Sequence, residues 1–293
     1  MNLRDLEYLV ALQEVKHFRK AAEKCFVSQP TLSGQISKLE EELGLLLIER
    51  TSRKVIFTHA GEDIAAKARL ILMEVKGLKD IAKNYQAPLS GPIHIGLIPT
   101  VAPYVLPKIV PPIRERFPNL ELFLYEEQTK ELIKGLEEGE LDCLILALLP
   151  DMERFGHIDL YREPFLLTLP KDHPLQDRER IVLEDLKGHR VLMLEDGHCL
   201  RDQALGYCFT AGAKEDTSFK ATSLETLRHM VAADCGITLL PELAVPKSDT
   251  ELVYKRFSEP QPGRVISLVY RMHSVRRPCF NELAKLIQNQ IQF

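Results

Sequence analysis

Two cysteines nine positions apart, Cys199 and Cys208, lie in the run LEDGHCLRDQALGYCF at 194–209, the unusual feature of the rear of the chain. Asp196-Gly197 predicts a turn, which puts Cys199 at the entrance of a short helix, between His198 and Arg201. Free amide ends, an imidazole and a guanidinium favour thiolate over thiol and lower the pKa from about 8.5, whereas Asp196 and Asp202 oppose that trend. A thiolate there is able to attack a peroxide oxygen, giving a sulfenic acid that a second thiol converts into a disulfide. If 199–208 form one continuous helix, the two Cα atoms stand roughly 13 Å apart on opposite faces. A disulfide needs less than about 7 Å. Bonding these two residues therefore requires the segment to unwind or fold back, and a turn at Gly206 would ease it. A covalent change that must remodel backbone is what a switch requires.

The plainer reading is that both thiols are small buried hydrophobes. That reading is preferred for Cys25, Cys143 and Cys235, which lie in apolar helix or strand settings, while Cys279, after Arg276-Arg277-Pro278, stays open. Metal binding by Cys199, Cys208 and His198 is disfavoured, because no compact cysteine pair and no fourth ligand is at hand. Neither a metal nor a cofactor is expected.

A second set of residues suits nucleic acid. Ser28 can cap a helix whose first turn holds Gln29-Pro30, where a missing N–H costs nothing. Leu32, Ile36, Leu39 and Leu43 form its apolar face and Gly44 ends it. Two shorter helices precede it, carried by Leu3, Leu6, Leu9, Val10 and Leu12 and then by Phe18, Ala21, Ala22 and Cys25, with a tight turn near Phe26-Val27-Ser28. The result is a helix-turn-helix expectation. Gln29, Thr31, Ser33 and Gln35 are candidates for base edges, while Lys38, Arg50 and Arg53 suit phosphate or minor-groove contacts. A solvated polar face in a generic bundle is the bland alternative.

Those residues must be held by the rest of the 293-residue chain. LLLIERTSRKVIFT reads as a two-stranded wing, with Arg50, Arg53 and Lys54 at its bend. Thr58 can cap a helix over 59–86 whose apolar positions invite coiling against a partner chain, and APLSGP at 87–92 breaks it. Beyond lie strands at 93–99, 120–126, 142–148, 165–169, 191–194, 236–241 and 265–271, and helices at 101–117, 130–138, 223–234 and the C-terminus. That alternation predicts parallel sheets in two α/β lobes with a ligand cleft between them. The net charge of −4 hides a split: residues 1–88 carry 14 basic against 12 acidic side chains, the remainder 24 against 30. The opening residues lack a secretory pattern and no stretch approaches eighteen apolar residues, so a soluble cytoplasmic protein with reduced thiols is expected.

The run FRKAAEKCFVSQPTLSGQISKLEEELGLLLIERTSRKVIFTHAG strongly resembles the N-terminal signature of LysR-type transcriptional regulators, with its alanine pair, Ser-Gln-Pro helix start (Ser28, Gln29, Pro30) and Leu-Glu-x-x-Leu-Gly helix end. Ile48-Glu49-Arg50 departs mildly from the family's wing entry. The resemblance implies a winged helix-turn-helix, mainly α, over 1–58, a linker and dimerisation helix over 59–87, and a two-lobed α/β regulatory domain like periplasmic binding proteins over 88–293. It also implies a homodimer assembling to a homotetramer on double-stranded promoter DNA, commonly recruiting RNA polymerase, and it implies neither an enzyme nor a membrane protein.

The segments MLEDGHCLRDQAL…YCF, GPIHIGLIPTVAPYVLP, LDCLILAL and FKATSLETLRHMVAA are similar to the peroxide-sensing branch of that family. By that match Cys199 is the peroxide-reacting cysteine and Cys208 the resolving one, returned by a cellular thiol reductant. Thr100, Thr129, His198, Arg201 and Arg264 fall where the hydrogen peroxide pocket lies. Two alternatives stand beside this reading: a regulator with inert thiols answering to a small molecule in the interlobe cleft, and a thiol peroxidase or cysteine hydrolase with an appended DNA-binding domain.

Overall fold

The computed structural model describes residues 1–50, 55–86, 89–150, 152–246 and 248–291. Contacts divide it into two units, Met1–Lys83 and Asn84–Phe293.

In the first unit α1 (Leu3–Val15) opens on a capping box in which Asn2 and Asp5 each accept from the other's backbone N–H, at 3.2 and 2.8 Å. α2 (Phe18–Lys24) and α3 (Gln29–Leu43) follow. Ser28 caps α3 by accepting from the Thr31 N–H at 3.3 Å, and Gly44 takes the left-handed conformation that closes it. Leu9, Leu12, Ala21, Leu32, Ile36 and Leu39 make the core.

The wing is the antiparallel pair β1 (Ile48–Arg50) and β2 (Val55–Phe57), in the register Ile48↔Phe57. Buried Glu40, from the helix-ending motif, fixes its start by accepting from the Leu47 and Ile48 N–H groups at 3.0 and 3.1 Å. The Thr58 hydroxyl accepts from Gly61 N–H at 3.0 Å and so caps α4 (His59–Gln86). A Cβ on Gly61 would collide with the Leu47 carbonyl, so the first turn of α4 must be glycine there.

The second unit begins as expected, with β3 (Gly91–Leu97), α5 (Ala102–Arg116), β4 (Leu120–Glu126), α6 (Thr129–Glu138) and β5 (Cys143–Ala147). Then comes β6 (Phe155–Pro170), sixteen residues long. After it follow β7 (Arg190–Leu194), α7 (Cys199–Thr210), β8 (Lys214–Ala221), α8 (Leu224–Ala232), β9 (Thr238–Pro241), β10 (Leu252–Arg256), β11 (Gly263–Arg271) and α9 (Arg277–Gln290).

The main sheet has the order β10-β6-β11-β5-β3-β4, with β9 also paired to β6, while β7 and β8 form a separate parallel pair. The expectation of parallel sheets is thus only half met. β3 is parallel to β4 and β5, but β11 runs antiparallel to both β5 and β6. The long strand β6 passes from one lobe into the other, and β9, β10 and β11 all pair antiparallel to it. Its first half packs through Phe155, Leu160 and Tyr161 into one hydrophobic core, and its second half through Phe165, Leu167 and Leu169 into another. These two cores are the two lobes. Strands β8 and β10 have no counterpart among the expected strands.

Candidate functional site

α7 is one unbroken helix from Cys199 to Thr210, and Gly206 makes no turn in it. At about 1.5 Å per residue, nine steps separate Cys199 and Cys208 by roughly 13 Å along its axis. Both are free thiols, 4% and 2% exposed. They are buried in different places. Cys199 belongs to the core of the first lobe, with Ile98, Val101 and Ala102, whereas Cys208 belongs to the core of the second, with Leu200, Ala204 and Val231. Burial pushes the Cys208 thiol up to about 12, so it is protonated near neutral pH.

The loop before α7 is held by α6. Gln128, just ahead of Thr129, donates to Glu195 at 3.3 Å, and its side-chain oxygen lies against Gly197, which has φ +99. A side chain at 197 would displace it. Thr129, first residue of α6, is buried and its hydroxyl has no hydrogen-bond partner among the described residues. A small polar molecule beside that hydroxyl would satisfy it. His198 is buried ahead of Cys199 without capping the helix, and burial lowers its imidazole pKa while Glu195 opposes that effect.

Arg201 and Arg264 differ in what they face. The Arg201 guanidinium donates to Glu215 on β8 at 2.6 Å and lies 3.3 Å from Asp196 and 4.0 Å from Asp202. Three carboxylates therefore share the charge expected to act on Cys199. Asp196 is held below the usual carboxylate range by its hydrogen bond from Lys220, then by Arg201. Arg264 is fully buried on β11, pairs with Glu163 on β6 at 2.8 Å, and donates to the Thr100 hydroxyl at 2.8 Å and carbonyl at 3.0 Å. Glu163 and Arg264 are register partners where β6 passes between the lobes. Thr100, Glu163 and Arg264 thus form one buried tie at that passage. Glu163 and Gln128 were invisible to sequence reading, since their partners are distant in the chain.

The remaining cysteines need one correction. Cys143 and Cys279 are buried in the first core, and burial raises both thiols, Cys279 to about 11. Cys235, expected inside, is exposed. α8 stops at Ala232, and Asp234 adopts φ 58, turning the chain so that residue 235 lies outside the core. Cys25 is half-buried at the end of α2.

On the reading helix Gln29, Pro30, Thr31 and Lys38 are exposed and Ser33 and Gln35 half-buried. Leu32, Ile36 and Leu39 bury the opposite face. The Ser28 hydroxyl lies 2.7 Å from that of Thr31, within hydrogen-bonding distance, and each keeps further hydrogen-bonding capacity. The backbone of Arg50 lies in β1, and Arg53 falls outside the described residues. Phe26, expected only as part of the turn before α3, is 96% exposed there. No helix among the described residues is long and apolar enough to cross a membrane, and no group of three or more His, Cys, Asp or Glu among them could hold a metal ion.

Comparison with known proteins accords with this geometry. Residues 3–62 match the family described as "Bacterial regulatory helix-turn-helix protein, lysR family", and residues 86–292 match "LysR substrate binding domain". The chain is 57% identical over 290 residues to the "DNA-binding transcriptional dual regulator OxyR" of Escherichia coli (strain K12), covering 98% of this chain and 95% of that one. It is 55% identical over 294 residues to a "Hydrogen peroxide-inducible genes activator" of Dickeya chrysanthemi, covering 100% and 96%. The solved structure of full-length OxyR C199D from Pseudomonas aeruginosa superposes with a TM-score of 0.80 at 36% identity, covering 98% of this chain and 95% of that one. The chain belongs to the LysR family of bacterial helix-turn-helix transcription regulators.

Proposed function

We propose that this regulator responds to hydrogen peroxide through a reversible Cys199–Cys208 disulfide. Residues 88–293 do the sensing, residues 59–87 join two copies, and residues 1–58 read double-stranded promoter DNA. The observation that carries the proposal is the placement of the two thiols on one helix but in separate cores. The names of relatives over 50% identical along the whole chain support peroxide as the signal.

In the proposed step the Cys199 thiolate attacks one peroxide oxygen. An S–O bond forms, the O–O bond breaks, and the departing hydroxide takes a proton to leave as water. The unpartnered Thr129 hydroxyl and Thr100 orient the peroxide, and His198, Arg201 and Arg264 supply positive or hydrogen-bonding character for charge on the leaving oxygen. Cys208 then displaces hydroxide from the sulfenic sulfur, which leaves as a second water. Two thiols have been oxidised and one peroxide reduced. Cys208 reacts only after α7 opens and releases it from the second core. A cellular dithiol reverses the bond.

Leu70, Ile71, Leu78 and Ile81 leave apolar surface exposed on α4, which supports a homodimer formed there and paired into a homotetramer. On DNA, Gln29, Thr31, Ser33 and Gln35 face base edges from a helix whose start is set by Ser28 and Pro30, with Lys38, Arg50 and Arg53 at phosphates or the minor groove. Oxidation changes the spacing of these readers and the contact with RNA polymerase. Promoter footprints of reduced and oxidised protein test this beside Cys199→Ser and Cys208→Ser. The wild-type pattern should change on oxidation and those of both variants should not; identical footprints throughout would defeat the reading.

A further inference from the structure

We infer that Phe26 is an apolar DNA contact, its ring meeting a thymine 5-methyl group at the edge of the surface read by α3. The inference rests on α3 being the DNA reader and adds a residue to it.

Phe26 is 96% exposed, well beyond the next large apolar side chain among the described residues, Leu46 at 73%. Its neighbours Cys25 and Val27 both pack partly against the first unit's core, and it does not. The turn is built by backbone alone: Cys25, Phe26 and Val27 N–H groups donate to the carbonyls of Ala21, Glu23 and Ala22 at 2.9, 3.1 and 3.0 Å. The ring therefore adds nothing to the fold. Its backbone even argues against it. Phe26 has φ 55, a left-handed conformation that glycine and asparagine adopt readily and a bulky side chain does not. A large hydrophobe held in water at a position better filled by Asn needs a partner beyond the chain.

Position selects the partner. Phe26 stands two residues before the Ser28 cap, and exposed Gln29, Pro30 and Thr31 follow it, so the ring continues the surface that α3 offers to a duplex. The major-groove edge presents one apolar group able to distinguish a base pair, the thymine methyl, and a phenyl ring matches it. A protein partner on this face would compete with DNA for the same ground.

The test uses full-length chain and a duplex enriched from a random pool by the wild-type protein. Phe26→Asn suits the left-handed turn, so it should melt no lower than wild type while binding that duplex about tenfold more weakly, the scale of one mismatched base pair. Its salt dependence should match wild type, because no phosphate contact is removed. Replacing one thymine at a time by deoxyuridine should identify a position that weakens the wild type and leaves Phe26→Asn unaffected. Phe26→Gly, at the same backbone geometry, should behave as Phe26→Asn does. Binding of Phe26→Asn within twofold of wild type, or the lack of any methyl-sensitive position that the variant ignores, overturns the inference. So does a variant that binds DNA normally and fails only in transcription with RNA polymerase, which would make the ring a protein contact. A wild-type chain that enriches no duplex overturns the α3 reading itself.

Discussion

Cys199 and Cys208 share one unbroken helix but are buried in different hydrophobic cores. Joining their sulfurs therefore demands more than rotation of two side chains. At least one thiol must leave its core, and the hydrogen bonds of α7 between them must break.

Gly206 offers a graded test of that demand. It lies inside α7, and a Cβ there would meet nothing within 4 Å. Gly206→Ala should stabilise the helix by about 0.5–1 kcal/mol. Because the reduced form keeps the helix and the disulfide form loses it, the thiol–disulfide midpoint should rise by roughly 10–20 mV. Redox titration against a dithiol buffer measures it, and an unchanged or more negative midpoint would count against helix opening.

His198 sets a pH dependence. Its imidazole is buried and its pKa lowered, so the folded chain binds that proton less well than the unfolded chain does. Its share of stability is complete above about pH 6.5 and is lost as pH falls through the depressed folded value. Thermal melts from neutral pH downward should decline more steeply for wild type than for His198→Asn. Parallel curves would mean that His198 is protonated as easily folded as unfolded.

Arg264→Ala leaves the carboxylate of Glu163, 1% exposed, without its partner and takes a donor from Thr100. Breaking such a buried pair destabilises by about 3–5 kcal/mol. Denaturant unfolding should show that loss in the second unit, and a change below about 1 kcal/mol would show that the tie is wet or dispensable.

Glu40→Ala removes the acceptor for two backbone donors at the root of the wing. Hydrogen bonds to a charged group contribute about 1.5–3 kcal/mol, so the first unit should melt earlier and the promoter footprint should lose the wing's share of protection. An unaltered melt would place the wing under other control.

The first unit was legible in the sequence because its determinants are local. Ser28, Gly44, Thr58 and the spacing of Leu32, Ile36, Leu39 and Leu43 are signals read within a few residues, and each acts as expected. The regulatory lobes depend on distant partners. β6 reads as a short strand near 165–169 because its first half, FGHIDLYREP, alternates with polar residues, and only its pairing with β11 reveals its length. β8 is KEDTSFKA, too polar to announce a strand, and it is held by its parallel partner β7. The cysteine segment was half legible. Its helix entrance at Cys199 followed from Asp196-Gly197, but the division of the thiols between two cores depends on packing, as does the pairing of Arg201 with Glu215. The exposure of Cys235 depends on one left-handed residue, Asp234, and the apolar pattern before it gives no sign of that turn.

The most direct measurement is hydrogen exchange across residues 199–210, read by mass spectrometry before and after one equivalent of peroxide, with the linked peptides mapped in the same sample. A Cys199–Cys208 cross-link should appear together with loss of amide protection throughout α7, and protection should return on reduction. A cross-link between these two residues with α7 as protected as before, or oxidation that never joins them, would rule out a switch that works by opening α7.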